Sequence, residues 1–447
     1  MKDLTTGIES KVIIKFAAPM LVGNLFQQTY TIFDSIIVGK LIGDEALAAV
    51  GASFPIIFAL ISFVIGIATA GTIIISQYYG AKDYDKVRRA IDTIFVFIFL
   101  ASIVVMVIGI GFGERIFKLT KLPAEVMPQA TIYLRTFLSG TILLFGFNGI
   151  SAILRGIGDS KTPVYFQVMA AVLNIILDYV LIKFMNMGIQ GAALATVISH
   201  GFTFIIAALY LNKTHKLIRI KVFNLGFDKE IFKQSLNIGL PSGFQQTFVA
   251  LGMIALYRIV NNFGTDVVAA YSVAGRIDGL AMIPSMIFGQ ALSAFVGQNL
   301  GAGKPDRVRR GLKATLLYSV LISIAVTIIV LLLKIPLMKL FTDTDTVIEI
   351  GAQYLTVVSS CYVIFSIMFA LNGVMRGAGD TLVPMFITLF SLWVIRVPFA
   401  AVLSERFNEL GIWFAVPLAW SVGTVLSFIY YRMGKWKKKV IVKPNTE

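Results

Sequence analysis

The sequence predicts an all-α integral membrane protein with twelve transmembrane helices in two lobes of six. Of the 447 residues, 57% are hydrophobic and only 14% are charged, whereas soluble proteins average about 25% charged residues. About twelve apolar runs reach the roughly 20 residues that a membrane helix needs, and the two halves of the chain share a repeated pattern. The chain has a single cysteine, Cys361. Soluble, disordered and disulfide-stapled secreted classes are therefore excluded.

Short loops separate the apolar runs and leave no room for a soluble domain. The predicted spans are 12–38, 46–78, 92–112, 129–153, 163–185, 189–211, 236–260, 267–298, 313–333, 348–374, 383–403 and 411–432. They predict an N-terminal lobe over 1–211 and a C-terminal lobe over 236–434. A basic cytoplasmic linker over 212–235 joins the lobes, and a basic cytoplasmic tail covers 435–447.

The positive charges are distributed unevenly between the two sides of the membrane. If the N-terminus is cytoplasmic, 27 of the 39 Lys and Arg residues lie on that side and 8 lie on the other. Cytoplasmic loops carry such an excess, so we expect a multi-pass protein of the cell membrane with both termini inside. The net charge of +15 then faces anionic lipids. We expect membrane lipids as partners, no nucleic acid, and a monomer.

The two halves of the chain repeat at a constant offset of 221 residues. The matches pair 77–81 with 298–302, the RGxGD loop 155–159 with 376–380 and, across one gap, Pro19 with Pro241. Each half holds an even number of spans, so both copies enter the membrane in the same sense. The predicted lobes are therefore related by a pseudo-twofold axis along the membrane normal. This architecture is typical of a rocking transporter, and the alternative is a duplicated scaffold without transport.

Two carboxylates lie deep inside spans of the N-terminal lobe. Asp34 in span 1 and Asp178 in span 5 each lie about five residues before the end of a span that runs outward. They are therefore predicted at one depth, and Thr196 on span 6 lies at a similar level. Ionisable groups at membrane depth are costly and indicate function by default.

The neighbours of these carboxylates suggest a binding site with two possible occupants. Gln27, Tyr30 and Asp34 share one face of span 1, and Asn174 lies one turn before Asp178. Carboxylate, amide and hydroxyl oxygens coordinate a small hard cation. The carboxylates could equally carry an exchangeable proton, because burial disfavours their charged form. The alternative interpretation is interhelical hydrogen bonding without transport chemistry.

The C-terminal lobe lacks counterparts of these two carboxylates. At the repeat offset their positions hold Ala255 and Phe399. Asp278 in span 8 has Arg276 two residues away, and Arg396 lies on span 11. We expect these three charges to form a compensated network that supports the substrate cavity.

Prolines and repeated loops provide the candidate hinges. A proline in a helix removes a hydrogen bond, and glycine after a helix favours a C-terminal turn. The candidate hinge or gate residues are Pro19, Arg155, Asp159, Arg376 and Asp380.

These residues resemble the multidrug and toxic compound extrusion (MATE) family, part of the multidrug/oligosaccharidyl-lipid/polysaccharide flippase superfamily. The resemblance covers essentially the whole chain. It rests on Pro19, Gln27, Gln28, Tyr30 and Asp34, on Gly43 with Leu47, Ala48 and Ala49, on the stretches 77–81 and 298–302, on the RGxGD loops with Pro163 and Pro384, and on Asn174 with Asp178. The chain resembles the DinF-like branch more than the NorM-like branch, because span 7 has Gln245 and Gln246 where the latter has a carboxylate.

The resemblance implies a secondary-active multidrug antiporter that exports organic cations or amphipathic compounds in exchange for H⁺ or Na⁺. It implies that Asp34, Asn174, Asp178 and Thr196 hold the coupling ion, with Gln27, Tyr30 and Tyr133 nearby. No cofactor other than that ion is expected.

A lipid-linked oligosaccharide flippase of the same superfamily is the alternative function. It would need a cationic cleft for a diphosphate, and the candidates are Arg258, Arg276 and Arg396. An enzyme is the third class. It is not favoured, because His200 and His215 are the only histidines and no Walker or DDxxD motif occurs.

Overall fold

The chain is built almost entirely from helices. The computed structural model describes residues 3–119, 122–215, 218 and 225–442. None of these residues lies in a strand, which confirms the predicted all-α class. Parts of the predicted linker (212–235) and of the predicted tail (435–447) lie outside the described residues.

Fifteen α-helices, numbered in chain order, account for most of the described residues. They are α1 (Glu9–Leu41), α2 (Asp44–Gly80), α3 (Tyr84–Leu119), α4 (Met127–Ser139), α5 (Thr141–Gly156), α6 (Lys161–Tyr179), α7 (Gly188–Thr214), α8 (Lys229–Val260), α9 (Thr265–Gly301), α10 (Pro305–Lys339), α11 (Asp345–Ser359), α12 (Tyr362–Gly377), α13 (Leu382–Leu389), α14 (Val397–Phe407) and α15 (Glu409–Met433). Two π-helical segments, Val180–Phe184 and Phe390–Arg396, follow α6 and α13, and 3₁₀ turns follow α8 and α15.

The helices account for the twelve predicted spans. Nine helical stretches of the described residues are long and apolar enough to cross a membrane, and two bent pairs qualify when each counts as one span. The pairs are α4–α5, bent by 51°, and α11–α12, bent by 47°. Helix α1, 33 residues long, covers the predicted first span but is less apolar than these eleven. The sequence predicted span 4 as one helix, but the chain bends at Gly140, where the missing side chain lets Val197 of α7 approach closely.

The described residues form two compact units. Unit 1 comprises Ala18–Thr247, and unit 2 comprises Leu4–Ala17 and the described residues from Phe248 onward. Helix α1 therefore changes unit next to Pro19, which lies inside it. A proline weakens a helix locally by removing a backbone hydrogen bond. The predicted lobe boundaries at residues 211 and 236 stay predictions.

Unit 1 packs α6 and α7 side by side, and these two helices carry most of the predicted coupling residues. Helix α2 crosses α8 at close range, because a Cβ added to Gly66 would lie 2.6 Å from the backbone nitrogen of Gly243. Phe95 and Phe145 are fully buried in the same unit.

Unit 2 is organised around α9, which packs against α10, α11 and α12. A cluster of aromatic rings fills the interior. Tyr271 stacks on Trp413 with ring centroids 5.5 Å apart, and Tyr354 meets Trp413 edge-on at 4.9 Å. Trp413 is completely buried, so these rings form the centre of the unit 2 core.

The N-terminal segment, Leu4–Glu9, is bound tightly within unit 2. The Leu4 N–H donates to Gln298 Oε1 at 3.1 Å, and Asn299 Nδ2 donates to the Leu4 carbonyl at 3.1 Å. Gln298 and Asn299 are both fully buried. Glu9 Oε1 pairs with Arg307 Nη1 at 3.1 Å. The repeated stretch 298–302 therefore holds the N-terminal segment in place.

One testable consequence concerns the close contact between α9 and α12. A Cβ added to Gly373 would lie 2.5 Å from the Gly289 carbonyl oxygen. Gly373→Ala should therefore force the helices apart and destabilise the protein by about 1–3 kcal/mol. Gly275 also lies within α9, but nothing lies within 4 Å of an added Cβ. Gly275→Ala is the matched control and should be neutral or stabilising by up to about 1 kcal/mol.

Thermal unfolding of the purified variants in detergent measures both effects. An equal loss of thermal stability in the two variants would contradict the proposed role of the α9–α12 contact.

Candidate cation-coupling site

The carboxyl groups of Asp34 and Asp178 meet inside unit 1. Asp34 lies on α1, and Asp178 lies in the last turn of α6, just before the π-helical segment Val180–Phe184. The two carboxyl groups interact directly with each other. Ionised carboxylates only accept hydrogen bonds, so a proton or a cation between their oxygens would relieve the repulsion of the two like charges. The two side chains therefore have the proximity that the depth argument predicted.

Asn174 and Thr196 complete the same cluster. Asn174 and Asp178 are 1% and 0% exposed, and Thr196 on α7 is 8% exposed. With its amide nitrogen toward Asp178, Asn174 donates to Asp178 Oδ2 at 3.2 Å and accepts from the Thr196 N–H at 3.2 Å. The Thr196 hydroxyl lies 3.4 Å from the Asn174 amide. The amide thus links α6 to α7 at the level of the carboxyl pair.

Two oxygens of this cluster have no hydrogen-bond partner. Oδ1 of Asp34 and Oδ1 of Asp178 are buried and unpartnered among the described residues. Buried polar atoms are nearly always hydrogen-bonded, so these two oxygens can accept a further proton donor or coordinate a cation. The donor set contains two carboxylates, one amide oxygen and one hydroxyl. Hard oxygen ligands of this kind suit a small cation, and the carboxylates also suit a proton.

Aromatic residues lie around the carboxyl pair. The hydroxyls of Tyr30 and Tyr133 interact electrostatically with both Asp34 and Asp178. Tyr133 on α4 is 7% exposed and stacks against Phe137. These rings provide a dry, partly polar wall beside the cluster.

Gln27 lies on the same side of α1 as Asp34 but has another partner. Its Oε1 accepts a hydrogen bond of 2.7 Å from Nε2 of Gln167 on α6. Near this level Gly23 also approaches Val164 of α6. Gln27 therefore contributes to the contact between α1 and α6 rather than to the carboxyl cluster itself.

The predicted network around Asp278 is partly wrong. Arg276 is exposed, because residues two apart on a helix do not share a face. Asp278 instead accepts a hydrogen bond of 3.2 Å from the Tyr354 hydroxyl. The Tyr362 hydroxyl and the Arg396 guanidinium also interact electrostatically with the Asp278 carboxyl. Asp278 therefore belongs to the tyrosine-rich core of unit 2.

The two RGxGD loops form the same backbone turn. Gly158 and Gly379 have φ angles of 87° and 96°, a region that favours glycine. The N–H groups of Asp159 and Asp380 donate back to helix carbonyls at 2.8 and 2.9 Å. This geometry matches the helix C-terminal turn that the glycines predicted.

The remaining hinge candidates lie inside helices. Arg155 and Arg376 each lie one residue before the end of their helices, α5 and α12, and Pro19 lies inside α1. Asp159 also accepts from the Thr162 hydroxyl at 2.6 Å, and Asp380 from the Tyr430 hydroxyl. Their roles as hinges or gate latches stay predictions.

Two features of the site were missed from the sequence. The π-helical turn after Asp178 has the ordinary apolar sequence VLIKF, although such turns are frequent at functional sites. Gln167 contacts Gln27 from α6, and its position two turns before Asn174 could have signalled a second polar residue on that helix.

The family comparisons concern the chain as a whole. The MatE family model matches the chain twice, at residues 19–180 and 241–402. Both matched ranges begin at the prolines that the repeat had paired, so the two matches coincide with the internal repeat. The first match ends just after α6, and the second ends within α14.

Relatives and solved structures match nearly the whole chain. The probable multidrug resistance protein YpnP of Bacillus subtilis is 32% identical over 97% of this chain and 97% of its own length. The probable multidrug resistance protein YoeA of the same organism is 33% identical over 96% of this chain and 94% of its own. A structure described as the outward-facing conformation of a multidrug resistance MATE family transporter has a TM-score of 0.91, with 24% identity over 98% of this chain and 99% of that chain. The predicted fold class is confirmed, and the chain belongs to the MatE (multidrug and toxic compound extrusion) family of membrane transporters.

Proposed function

We propose that this protein is a secondary-active efflux antiporter that exports organic cations or other amphipathic compounds in exchange for H⁺ or Na⁺. The observation that carries the proposal is the buried Asp34–Asp178 pair with its two unpartnered oxygens. Such a pair is stable only when it holds a proton or a cation, because adjacent like charges cannot both persist in a buried site. A gradient of that ion can therefore drive the transporter. It has no catalytic residues, and its only cofactor is the coupling ion.

Antiport requires that the ion and the substrate favour different conformations. An ion on the pair cancels one of its two charges, removes the repulsion between the carboxylates and holds α1 against α6. When the ion leaves, the two carboxylates repel each other, and α1 moves relative to α6 with Pro19 as the weak point of the helix. An organic cation is then attracted to the same negative charge, and the faces of Tyr30 and Tyr133 favour it through cation–π contacts.

The position of the coupling site supports a likeness to the DinF-like branch of the family. The site residues Asp34, Asn174, Asp178 and Thr196 all belong to unit 1. Helix α8 carries Gln245 and Gln246 and has no carboxylate after Glu230 in its first turn. A coupling site built on a span 7 carboxylate, as in the NorM-like branch, would therefore lack its first ligand.

The protein acts in the cell membrane as a monomer, with both termini in the cytoplasm. The excess of Lys and Arg on the side of the termini supports this orientation. The bacterial relatives named as multidrug resistance proteins support the cell membrane as its location.

The flippase alternative is less well supported. Arg258 and Arg276 are exposed, and Arg396 acts on the Asp278 carboxyl. The relatives more than 30% identical to the chain are named as probable multidrug resistance proteins, which favours drug efflux.

Transport by reconstituted vesicles tests the proposed function directly. Proteoliposomes containing a fluorescent organic cation are exposed either to a Na⁺ gradient at equal pH or to a pH gradient without Na⁺. We expect one of the two gradients to drive the cation against its own gradient, and that gradient identifies the coupling ion. Failure of both gradients, with protein that is folded and inserted, would overturn the proposed antiport.

A further prediction concerns the amide between α6 and α7. Asn174→Ala removes one ligand and the hydrogen bond to Asp178, so the ion concentration for half-maximal efflux should rise about tenfold, as expected for a lost hydrogen bond to a charged group. The maximal rate at saturating ion should change little. Asn148→Ala is the matched control, because Asn148 is exposed on α5 and donates to the Leu144 carbonyl of its own helix. An unchanged ion dependence in Asn174→Ala would remove Asn174 from the site.

A further inference from the structure

A groove in unit 2 lies between the end of α10 and the start of α11. Its volume is about 780 Å³, within the range of roughly 300–1,000 Å³ that is usual for small-ligand clefts. Charged side chains from both helices line it: Lys334 and Lys339 from α10, and Asp345 and Glu349 from α11. None of these residues takes part in the candidate coupling site.

The charges in the groove do not neutralise one another. Among the described residues, no ion pair within 4.0 Å involves any of the four. Lys334 Nζ donates to the Thr356 hydroxyl at 2.9 Å. An ammonium group has three N–H donors, so two remain for a ligand. The groove thus separates two cations on one side from two carboxylates on the other.

The surface next to the groove is strongly apolar. Helix α10 is the least buried of the nine single-helix spans, with 17% of its apolar window buried in the structure. Leu332 and Leu340, near the groove, are 76% and 75% exposed. Ile348 and Leu410 line the groove itself. In a membrane protein, such an exposed apolar helix face contacts lipid acyl chains.

We propose that this groove binds the headgroup of a zwitterionic phospholipid that carries a primary ammonium group. Its phosphate lies against Lys334 and Lys339, and its ammonium lies against Asp345 and Glu349. Its acyl chains follow the exposed face of α10. The site does not depend on the proposed transport function, because it uses other residues of a different unit.

The two kinds of charge determine which lipid fits. The carboxylates repel a purely anionic headgroup such as phosphatidylglycerol. A quaternary ammonium, as in phosphatidylcholine, offers no N–H donor to Asp345 or Glu349. Phosphatidylethanolamine offers both the phosphate and three N–H donors, and charge-assisted hydrogen bonds are the stronger kind. We therefore expect the order of binding to be ethanolamine, choline and then glycerol headgroups.

Native mass spectrometry of the delipidated protein tests this order. The protein is titrated with phosphatidylethanolamine, phosphatidylcholine or phosphatidylglycerol of identical acyl chains. Lys339→Ala should weaken phosphatidylethanolamine binding about fivefold, as expected for one lysine near a headgroup. Glu349→Gln should reduce the preference for ethanolamine over glycerol headgroups by a similar factor. Lys40→Ala is the matched control, because this exposed lysine lies in the last turn of α1 in unit 1.

A competition experiment distinguishes binding of the whole lipid from binding of its headgroup alone. Soluble glycerophosphoethanolamine at the same concentration should not displace the lipid, because it lacks acyl chains. The proposal is overturned if phosphatidylglycerol binds as well as phosphatidylethanolamine, if the soluble headgroup competes equally, or if Lys339→Ala and Glu349→Gln both bind lipids as Lys40→Ala does.

Discussion

Asp178→Asn should reach the membrane in normal amounts and lose ion-coupled efflux. Asp178 is 0% exposed, and its Oδ1 has no hydrogen-bond partner among the described residues. Asparagine preserves the volume of the side chain and can donate to Asp34. The substitution therefore imitates the ion-occupied pair, in which one of the two charges has already been cancelled and the carboxylates no longer repel each other. The expected loss of ion-driven efflux is at least about tenfold, since a hydrogen bond or ion contact to a charged group is worth about 1.5–3 kcal/mol.

The folded state of this variant should be at least as stable as the wild type. Removing one of two adjacent buried carboxylates relieves repulsion and desolvation, which are the costs of buried charge. Thermal unfolding and ion-driven efflux are measured on the same preparation. This combination separates the loss of coupling from misfolding, because the two quantities are expected to change in different directions.

Asp34→Asn is the partner experiment, and Asp266→Asn is the matched control. Asp34 provides the other half of the pair, so its replacement should abolish coupling in the same way. Asp266 is exposed in the first turn of α9, and its replacement should leave efflux unchanged. Wild-type efflux in both Asp34→Asn and Asp178→Asn would show that the pair is not the coupling site.

The repeat and the apolar runs were sufficient to predict the fold, because each membrane helix must be long and apolar by itself. The depth argument also placed Asp34 and Asp178 at one level, since the position of a residue along a span determines its depth. The direction in which a side chain points around the helix axis does not follow from its depth. Arg276 shows the consequence, because its spacing from Asp278 on α9 directs the two side chains away from each other.

Contacts between distant segments were beyond prediction from the sequence. Nothing in the sequence indicates that Tyr354 on α11 bonds Asp278 on α9, or that Gln167 bonds Gln27. The stretch 298–302 was recognised as a repeated motif, but its function was not. In the structure, Gln298 and Asn299 bind the backbone of Leu4, a contact across nearly 300 residues of sequence.

That contact extends to Glu9, whose charge gives the N-terminal segment a dependence on pH. Glu9 Oε1 lies 3.1 Å from Arg307 Nη1 and 2.9 Å from Arg310 Nε. Burial acts to raise the pKa of the Glu9 carboxyl, but its backbone hydrogen bond and the two guanidinium groups outweigh burial and hold the pKa below its usual 4.5. Because the pKa of Glu9 is lower in the folded protein, its ion pairs stabilise the folded state fully when the pH is above the usual pKa of the carboxyl. This stabilisation is lost as the pH falls through the lowered pKa and the carboxylate becomes protonated. Attachment of the segment should therefore weaken only in acid.

Arg307→Ala should release the N-terminal segment from unit 2 at neutral pH. The side chain is 13% exposed. Its guanidinium donates to the Gly7 carbonyl at 3.0 Å and to Asn299 Oδ1 at 2.9 Å, in addition to its pair with Glu9. The truncated side chain no longer donates to these acceptors, which should lower the free energy that holds the segment to unit 2 by about 2 kcal/mol. Because the segment is continuous with α1, its release also removes the support for the first turns of that helix.

Limited trypsin digestion measures the release, because Lys11 lies in the first turns of α1 and becomes cleavable only when those turns unfold. Cleavage at Lys11 should be faster in Arg307→Ala than in the wild type. Arg307→Lys should give an intermediate rate, since lysine preserves the charge but lacks the planar set of donors that reaches three partners at once. Arg309→Ala is the matched control, because Arg309 is exposed on the same turn of α10. If Arg307→Ala and Arg309→Ala are cleaved at the same rate, Arg307 does not hold the segment, and the buried amides of Gln298 and Asn299 are sufficient to attach it.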